Sequence, residues 1–187
     1  MSLYRGVKIA VGAIVCIEQT KISGDVTIGS KTIVHPTATI RAECGPIVIG
    51  AYNLIEEYCV IINRSKESMK IGSFNVFEVG SYCESIRIGD YNVLESKSRL
   101  GPKCKLSTGC VIGSKCILGT DETLPDNTMV YGSECKRRVM NEKPPFQSYQ
   151  LEFLTKILPN YQKIEKANFK PLDVPTVTSP VTLPSNE

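Results

Sequence analysis

The chain has 187 residues, 42% of them hydrophobic and 22% charged, with a formal net charge of +3, which is enough for one well-formed core and short for two. It holds a single histidine, His35, no dense basic run and few aromatic residues. These counts exclude a metal site needing several imidazoles from one chain, argue against nucleic acid binding, and leave no apolar run long enough for membrane insertion.

Isoleucine and valine together number 35 against 12 leucines, and β-branched side chains favour pleated surfaces over helices, so most of the chain should be β. Met1 to Ala10 lacks the charged start, apolar middle and small-residue cleavage site of a signal peptide. Together with the absence of a C-x-x-C pair, this makes the eight cysteines read as reduced cytosolic thiols rather than a disulfide framework.

Taken in chain order, residues 7–132 carry a six-residue repeat. It opens with Ile9 and Val15, resumes at Ile22, Ile28, Val34 and Ile40, and continues through Ile49, Ile55, Ile61, Ile71, Phe77 and Cys83. From Ile88 it runs unbroken through Leu94, Leu100, Leu106, Ile112, Leu118, Leu124 and Val130. A hexad is too short to fold alone and must stack on copies of itself, three to a coil, so the pattern predicts a parallel β-helix of six to seven coils. At about 4.8 Å per coil the prism is roughly 30 Å long.

The register sorts the core into three columns. Ile9, Ile28, Ile49, Ile71, Ile88, Leu106 and Leu124 form one; Val15, Val34, Ile55, Phe77, Leu94, Ile112 and Val130 the second; Ile22, Ile40, Ile61, Cys83, Leu100 and Leu118 the third. Glycine often follows the aliphatic, as at Gly50, Gly72 and Gly89, where it is expected to relieve backbone strain near the corners. Cys104, Cys110 and Cys116 fall on the small inward position, where a buried thiol acts as a compact hydrophobe; Cys44 and Cys135 lie outside the repeats.

After Gly132 the register stops. Residues 133–147 are charged, contain Pro144-Pro145 and read as an extended connector. Residues 148–166 read as a helical segment: Leu151, Leu154, Ile157 and Leu158 have helical spacing, Ser148 is a candidate N-cap and Pro159 a stop. The stripe is expected to pack along a face of its own prism in preference to a dedicated partner. Residues 133–170 hold eight Lys/Arg against four Asp/Glu, a modestly basic patch. Residues 167–187, rich in proline, threonine and serine towards their end, read as a disordered tail in which Ser179 precedes proline and is a candidate phosphorylation site.

Within the prism, Asn53-Leu-Ile-Glu56, Asn75-Val-Phe-Glu78 and Asn92-Val-Leu-Glu95 recur one coil apart. The asparagines should stack inward as an amide ladder. Glu56, Glu78 and Glu95 should point outward, solvated near lysines such as Lys97 or docked on a basic partner surface, with metal binding a lesser alternative. His35 follows an inward aliphatic and precedes Pro36. It is a formal candidate for a general base, but a structural corner histidine is the preferred reading because no partner to orient its ring is recognisable. No glycine-rich phosphate loop or nucleophile elbow is present, and no cofactor is expected.

The stretches Gly45-Pro-Ile-Val-Ile-Gly50, Asn53-Leu-Ile-Glu-Glu57, Asn75-Val-Phe-Glu-Val-Gly80 and Leu151-Glu-Phe-Leu-Thr-Lys-Ile-Leu-Pro-Asn-Tyr161 together resemble the dynactin subunit 6 family of hexapeptide-repeat proteins, over about residues 7–161. The resemblance, not the periodicity, implies the left hand of the β-helix. It further implies a non-catalytic, cytoplasmic and cytoskeleton-associated subunit of the dynactin pointed-end complex. There it pairs with a sister β-helix, dynactin subunit 5, alongside an actin-related protein and dynactin subunit 4, in dynein-driven, microtubule-based transport and cargo attachment. Two enzyme classes known on hexapeptide β-helices are the alternative: an acyltransferase, or a degenerate relative of the γ-class carbonic anhydrases, whose zinc-binding histidines this chain lacks.

Overall fold

The computed structural model describes residues 6–170. Three sheets of short strands form the faces of a triangular prism of about seven turns, and within each sheet the strands of the prism pair in parallel with the equivalent strand one coil away. The register reproduces the three columns: Ile9 pairs with Ile28 and Leu106 with Leu124 in the first sheet, Phe77 with Ile55 and Leu94 in the second, and Cys83 with Ile61 and Leu100 in the third. All three columns are buried, and each fully buried aliphatic contributes about 1.5–3 kcal/mol of transfer free energy. The molecule is a left-handed parallel β-helix with one C-terminal helix.

The amide ladder forms as expected. Asn53, Asn75 and Asn92 are fully buried. Asn75 Nδ2 donates to Asn53 Oδ1 and Asn92 Nδ2 to Asn75 Oδ1, both at 3.0 Å. The same oxygens accept the backbone N–H groups of Asn75 and Asn92, and Asn92 Oδ1 accepts that of Cys110. Thr32 Oγ1 ends the ladder below, accepting the Asn53 N–H.

The hexad glycines work differently from the expectation. Gly50, Gly72 and Gly89 have ordinary backbone angles. They are needed because adjacent coils come too close for a side chain: a Cβ on Gly50 would lie 2.6 Å from Gly72 O, and one on Gly89 2.6 Å from Ser107 O. The left-handed backbone at one corner is taken instead by Tyr52, Phe74 and Tyr91, with φ of 56°, 63° and 57°. Such a conformation costs a non-glycine residue about 1–3 kcal/mol. Here it is offset in part by ring stacking, at 5.2 Å between Tyr52 and Phe74 and 4.7 Å between Phe74 and Tyr91, each pair contributing about 0.5–1.5 kcal/mol.

This aromatic column anchors the segment beyond the prism. Lys143 Nζ lies 3.5 Å from the Tyr91 ring centroid, and Phe146 packs edge-on against Phe74 and Tyr52. The segment expected to be a plain connector also contains a strand, Lys136–Val139, which turns back antiparallel onto Thr128–Tyr131. The helix spans Ser148–Tyr161, and Leu151, Leu154 and Leu158 pack on Ile33, Leu54 and Val76 of the second sheet's outer face. Two sequence assignments are corrected. The N-cap position is Gln147, without a side-chain cap, and Ser148 is the first helical residue. Pro159 does not stop the helix but lies inside its last turn, where a missing N–H removes only one terminal bond.

Residues 162–169 then return across the first coil. Ile164 bridges Cys16, Glu165 N donates to Val15 O, and Asn168 side-chain and backbone groups bond Val7 and Ile9. Residues 167–170, expected to begin a disordered tail, thus include a strap that pairs with the exposed edge of the first strand, Val7–Ile9. The remainder of the expected tail, with Ser179, lies outside the described residues.

Candidate functional site

The chain's distinctive surface residues gather at the corner that follows the second column. Position by position, coil by coil, this corner holds His35, Glu56, Glu78 and Glu95, flanked by the buried Cys16 and Gly113. The three glutamates are half-buried and do not simply project into solvent. Glu56 Oε2 accepts the Val79 N–H at 3.0 Å, Glu78 Oε2 the Ser96 N–H at 2.9 Å, and Glu95 Oε2 the Ser114 N–H at 2.9 Å. Ser96 and Ser114 hydroxyls add a second donor to the same oxygens.

Each glutamate therefore ties its coil to the next by satisfying a corner N–H that the sheet ladder leaves over, and a charge-assisted bond of this kind contributes about 1.5–3 kcal/mol. Among the described residues no salt bridge joins Lys97 to any of the three. Backbone dipoles take the place expected for a lysine. Burial raises the Glu56 carboxyl above the ordinary glutamate value, against the lowering effect of the Val79 N–H, and neighbouring Glu78 raises it further.

His35 has the orienting partner that the sequence did not reveal. Its Nδ1 lies 2.8 Å from Glu57 Oε1, a residue of the next coil, and its side chain is only 12% exposed. Nε2 is buried and has no hydrogen-bond partner among the described residues. Nearby, Glu18 Oε1 accepts the Lys163 N–H of the returning strap. Cys16, beneath that strap, is pushed up to about 12 by burial and then by the charges of Glu18 and Glu57, so its thiol stays protonated.

The other inward cysteines behave alike. Cys59, Cys83, Cys104, Cys110 and Cys116 are buried and raised mainly by desolvation, Cys83 and Cys104 to about 12. This is the behaviour of core filling, since a nucleophilic thiolate needs a lowered value and access. Cys44 is exposed and Cys135 partly so. Among the described residues no cluster of three or more His, Cys, Asp or Glu side chains has metal-binding geometry.

The two ends of the prism differ. At the first coil, the strap of residues 162–169 covers the edges of the first and second sheets. At the last coil, Ile117–Leu118 and Glu122–Leu124 end their sheets with no further strand paired among the described residues, and the outermost strand of the second sheet is the exposed Lys136–Val139. Ile117 is 65% and Val139 75% exposed there. The free side of the helix carries Tyr149, Phe153 and Tyr161, also exposed.

No family model matches the chain. Dynactin subunit 6 of Nematostella vectensis is 53% identical over 175 residues, covering 88% of this chain and 95% of that one, and dynactin subunit 6 of Danio rerio is 52% identical over 174 residues, covering 87% and 89%. Among solved structures, a hexapeptide transferase family protein from Anaplasma phagocytophilum superposes with a TM-score of 0.66 at 18% identity, covering 84% of this chain and 91% of that one, a likeness of fold alone.

Proposed function

The chain belongs to the dynactin subunit 6 family, and from that membership we propose that it is a non-catalytic, cytoplasmic and cytoskeleton-associated β-helix subunit of the dynactin pointed-end complex. In this reading it pairs with the sister β-helix, dynactin subunit 5, beside the actin-related protein and dynactin subunit 4, and supports dynein-driven transport and cargo attachment. The observation that carries the reading is identity above one half with proteins named dynactin subunit 6, sustained over most of both chains. The open last coil supports an end-on contact, because unpaired strand edges bearing exposed Ile117 and Val139 are templates for a further coil. Glu56, Glu78 and Glu95 each have one oxygen held by the fold; the second oxygens supply a row of acceptors for a basic partner surface.

The acyltransferase reading draws on one observation, the His35–Glu57 pair. A general base must bring its free nitrogen within hydrogen-bond reach of the group it deprotonates, and a buried Nε2 weighs against that role. Purifying the tagged full-length chain from cells and identifying the co-purifying chains tests the assignment. Dynactin subunits 5 and 4 with the actin-related protein are expected in fixed proportion; recovery of the chain without any dynactin subunit would overturn it.

A further inference from the structure

On the first sheet, the residue before each core aliphatic faces away from the core, and in three consecutive coils that residue is a cation: Lys70, Arg87 and Lys105. Lys70 is the register partner of Arg87, and the pairing of Ile88 with Leu106 sets Arg87 beside Lys105. With strands about 4.8 Å apart, the three charges form a ladder roughly 10 Å long. Like charges directly opposite on neighbouring strands destabilise a sheet. Several other surface cations are relieved by carboxylates, Lys8 by Asp25 and Arg137 by Glu122 among them, whereas among the described residues none of these three has a carboxylate within salt-bridge distance. No described carboxylate relieves this repulsion, which leaves the three charges free to meet a group from outside the chain.

The ladder borders a depression of about 350 Å³ whose remaining lining is Glu67, Ser68 and Ile86. We propose that this depression docks a short acidic polypeptide segment, whose carboxylates pair with Lys70, Arg87 and Lys105. The stripe is bounded, since exposed Val48 precedes Lys70 in the register and Thr123 follows Lys105. An anionic membrane or a polynucleotide reads cations over a longer basic surface than this three-residue stripe. Val48 and Ile86 offer apolar contact of the kind a peptide side chain uses. The site lies on a different face from the glutamate corner and does not depend on membership of any complex.

Fluorescence anisotropy of the full chain with a fluorescein-labelled hexaglutamate peptide at low ionic strength tests the proposal. K70Q/R87Q/K105Q is expected to weaken binding by roughly tenfold or more, as three partly exposed ion pairs would. The same variant should melt no lower than the parent, because the repulsion has gone. K97Q/K115Q/K156Q removes equal charge elsewhere and should leave binding within about twofold. Equal losses in both variants would reduce the effect to net charge and overturn the proposal. So would an absence of peptide binding by the parent, or tighter binding to phosphatidylserine vesicles or single-stranded RNA than to the peptide.

Discussion

Replacing Asn75 with alanine removes the middle rung of the amide ladder. The lost carbonyl is the acceptor of two fully buried donors, the Asn92 N–H at 2.8 Å and Asn92 Nδ2 at 3.0 Å, and Asn53 Oδ1 loses one of its two partners. An orphaned buried donor costs about 1–3 kcal/mol, so N75A, which orphans two, should lose roughly 2–6 kcal/mol, a large part of the 5–15 kcal/mol that holds a typical domain together. The last rung is cheaper. N92A orphans only the Cys110 N–H, because the Asn92 backbone still donates to Asn75, and the expected loss is about 1–3 kcal/mol. Urea unfolding followed by far-UV circular dichroism measures both. Losses below about 0.5 kcal/mol, or N92A costing more than N75A, would refute the view that the ladder's interior satisfaction organises the core.

Four further outcomes follow from the structure. E78A removes the acceptor of the Ser96 N–H and hydroxyl and should cost about 1.5–3 kcal/mol in urea unfolding, whereas E78Q keeps a neutral acceptor and should cost less than E78A. For Glu56 the folded-state value is raised by burial, so its contribution favours folding at low pH and is lost as pH rises through the folded value. E56Q, which keeps an acceptor for Val79, should therefore be no less stable than the parent at neutral pH. In the folded protein a thiol reagent should label Cys44 and Cys135 quickly and the six buried cysteines only on unfolding, and rapid labelling of Cys83 or Cys104 would contradict their core role. Because Cys16, Cys83 and Cys104 are raised to about 12, their contribution is complete below pH 9 and is lost as pH rises from there. Each should steepen alkaline unfolding by up to about 1.4 kcal/mol per pH unit, and C83V should remove one such increment.

Much of the fold was legible because hexad phase determines which residues share a column, and a one-residue slip would turn Phe77 or Leu94 out of the core. The asparagine ladder followed from the same phase. The features that escaped depended on backbone groups, or on pairings between coils, that a side-chain pattern does not display. The glutamate corner reads as a repulsive stripe until the leftover Val79, Ser96 and Ser114 N–H groups are placed beside it. The His35–Glu57 pair crosses coils with an offset of one position, so neither residue points to the other in the repeat.

The strap escaped because its bonding to the first coil rests largely on backbone groups and one residue, Asn168, with no periodicity. The polar strand Lys136–Val139 lacks the alternation of a half-buried strand, being exposed throughout. The cation ladder was visible in principle, since Lys70, Arg87 and Lys105 each stand immediately before a first-column aliphatic.

The proposal that this β-helix joins a sister solenoid, and is not a self-assembled enzyme, is tested most directly by its mass in solution. Light scattering on the purified full-length chain, alone and mixed with dynactin subunit 5, should give a monomer and a one-to-one complex. A stable homotrimer that binds coenzyme A or an acyl carrier, and does not combine with the sister chain, would contradict it.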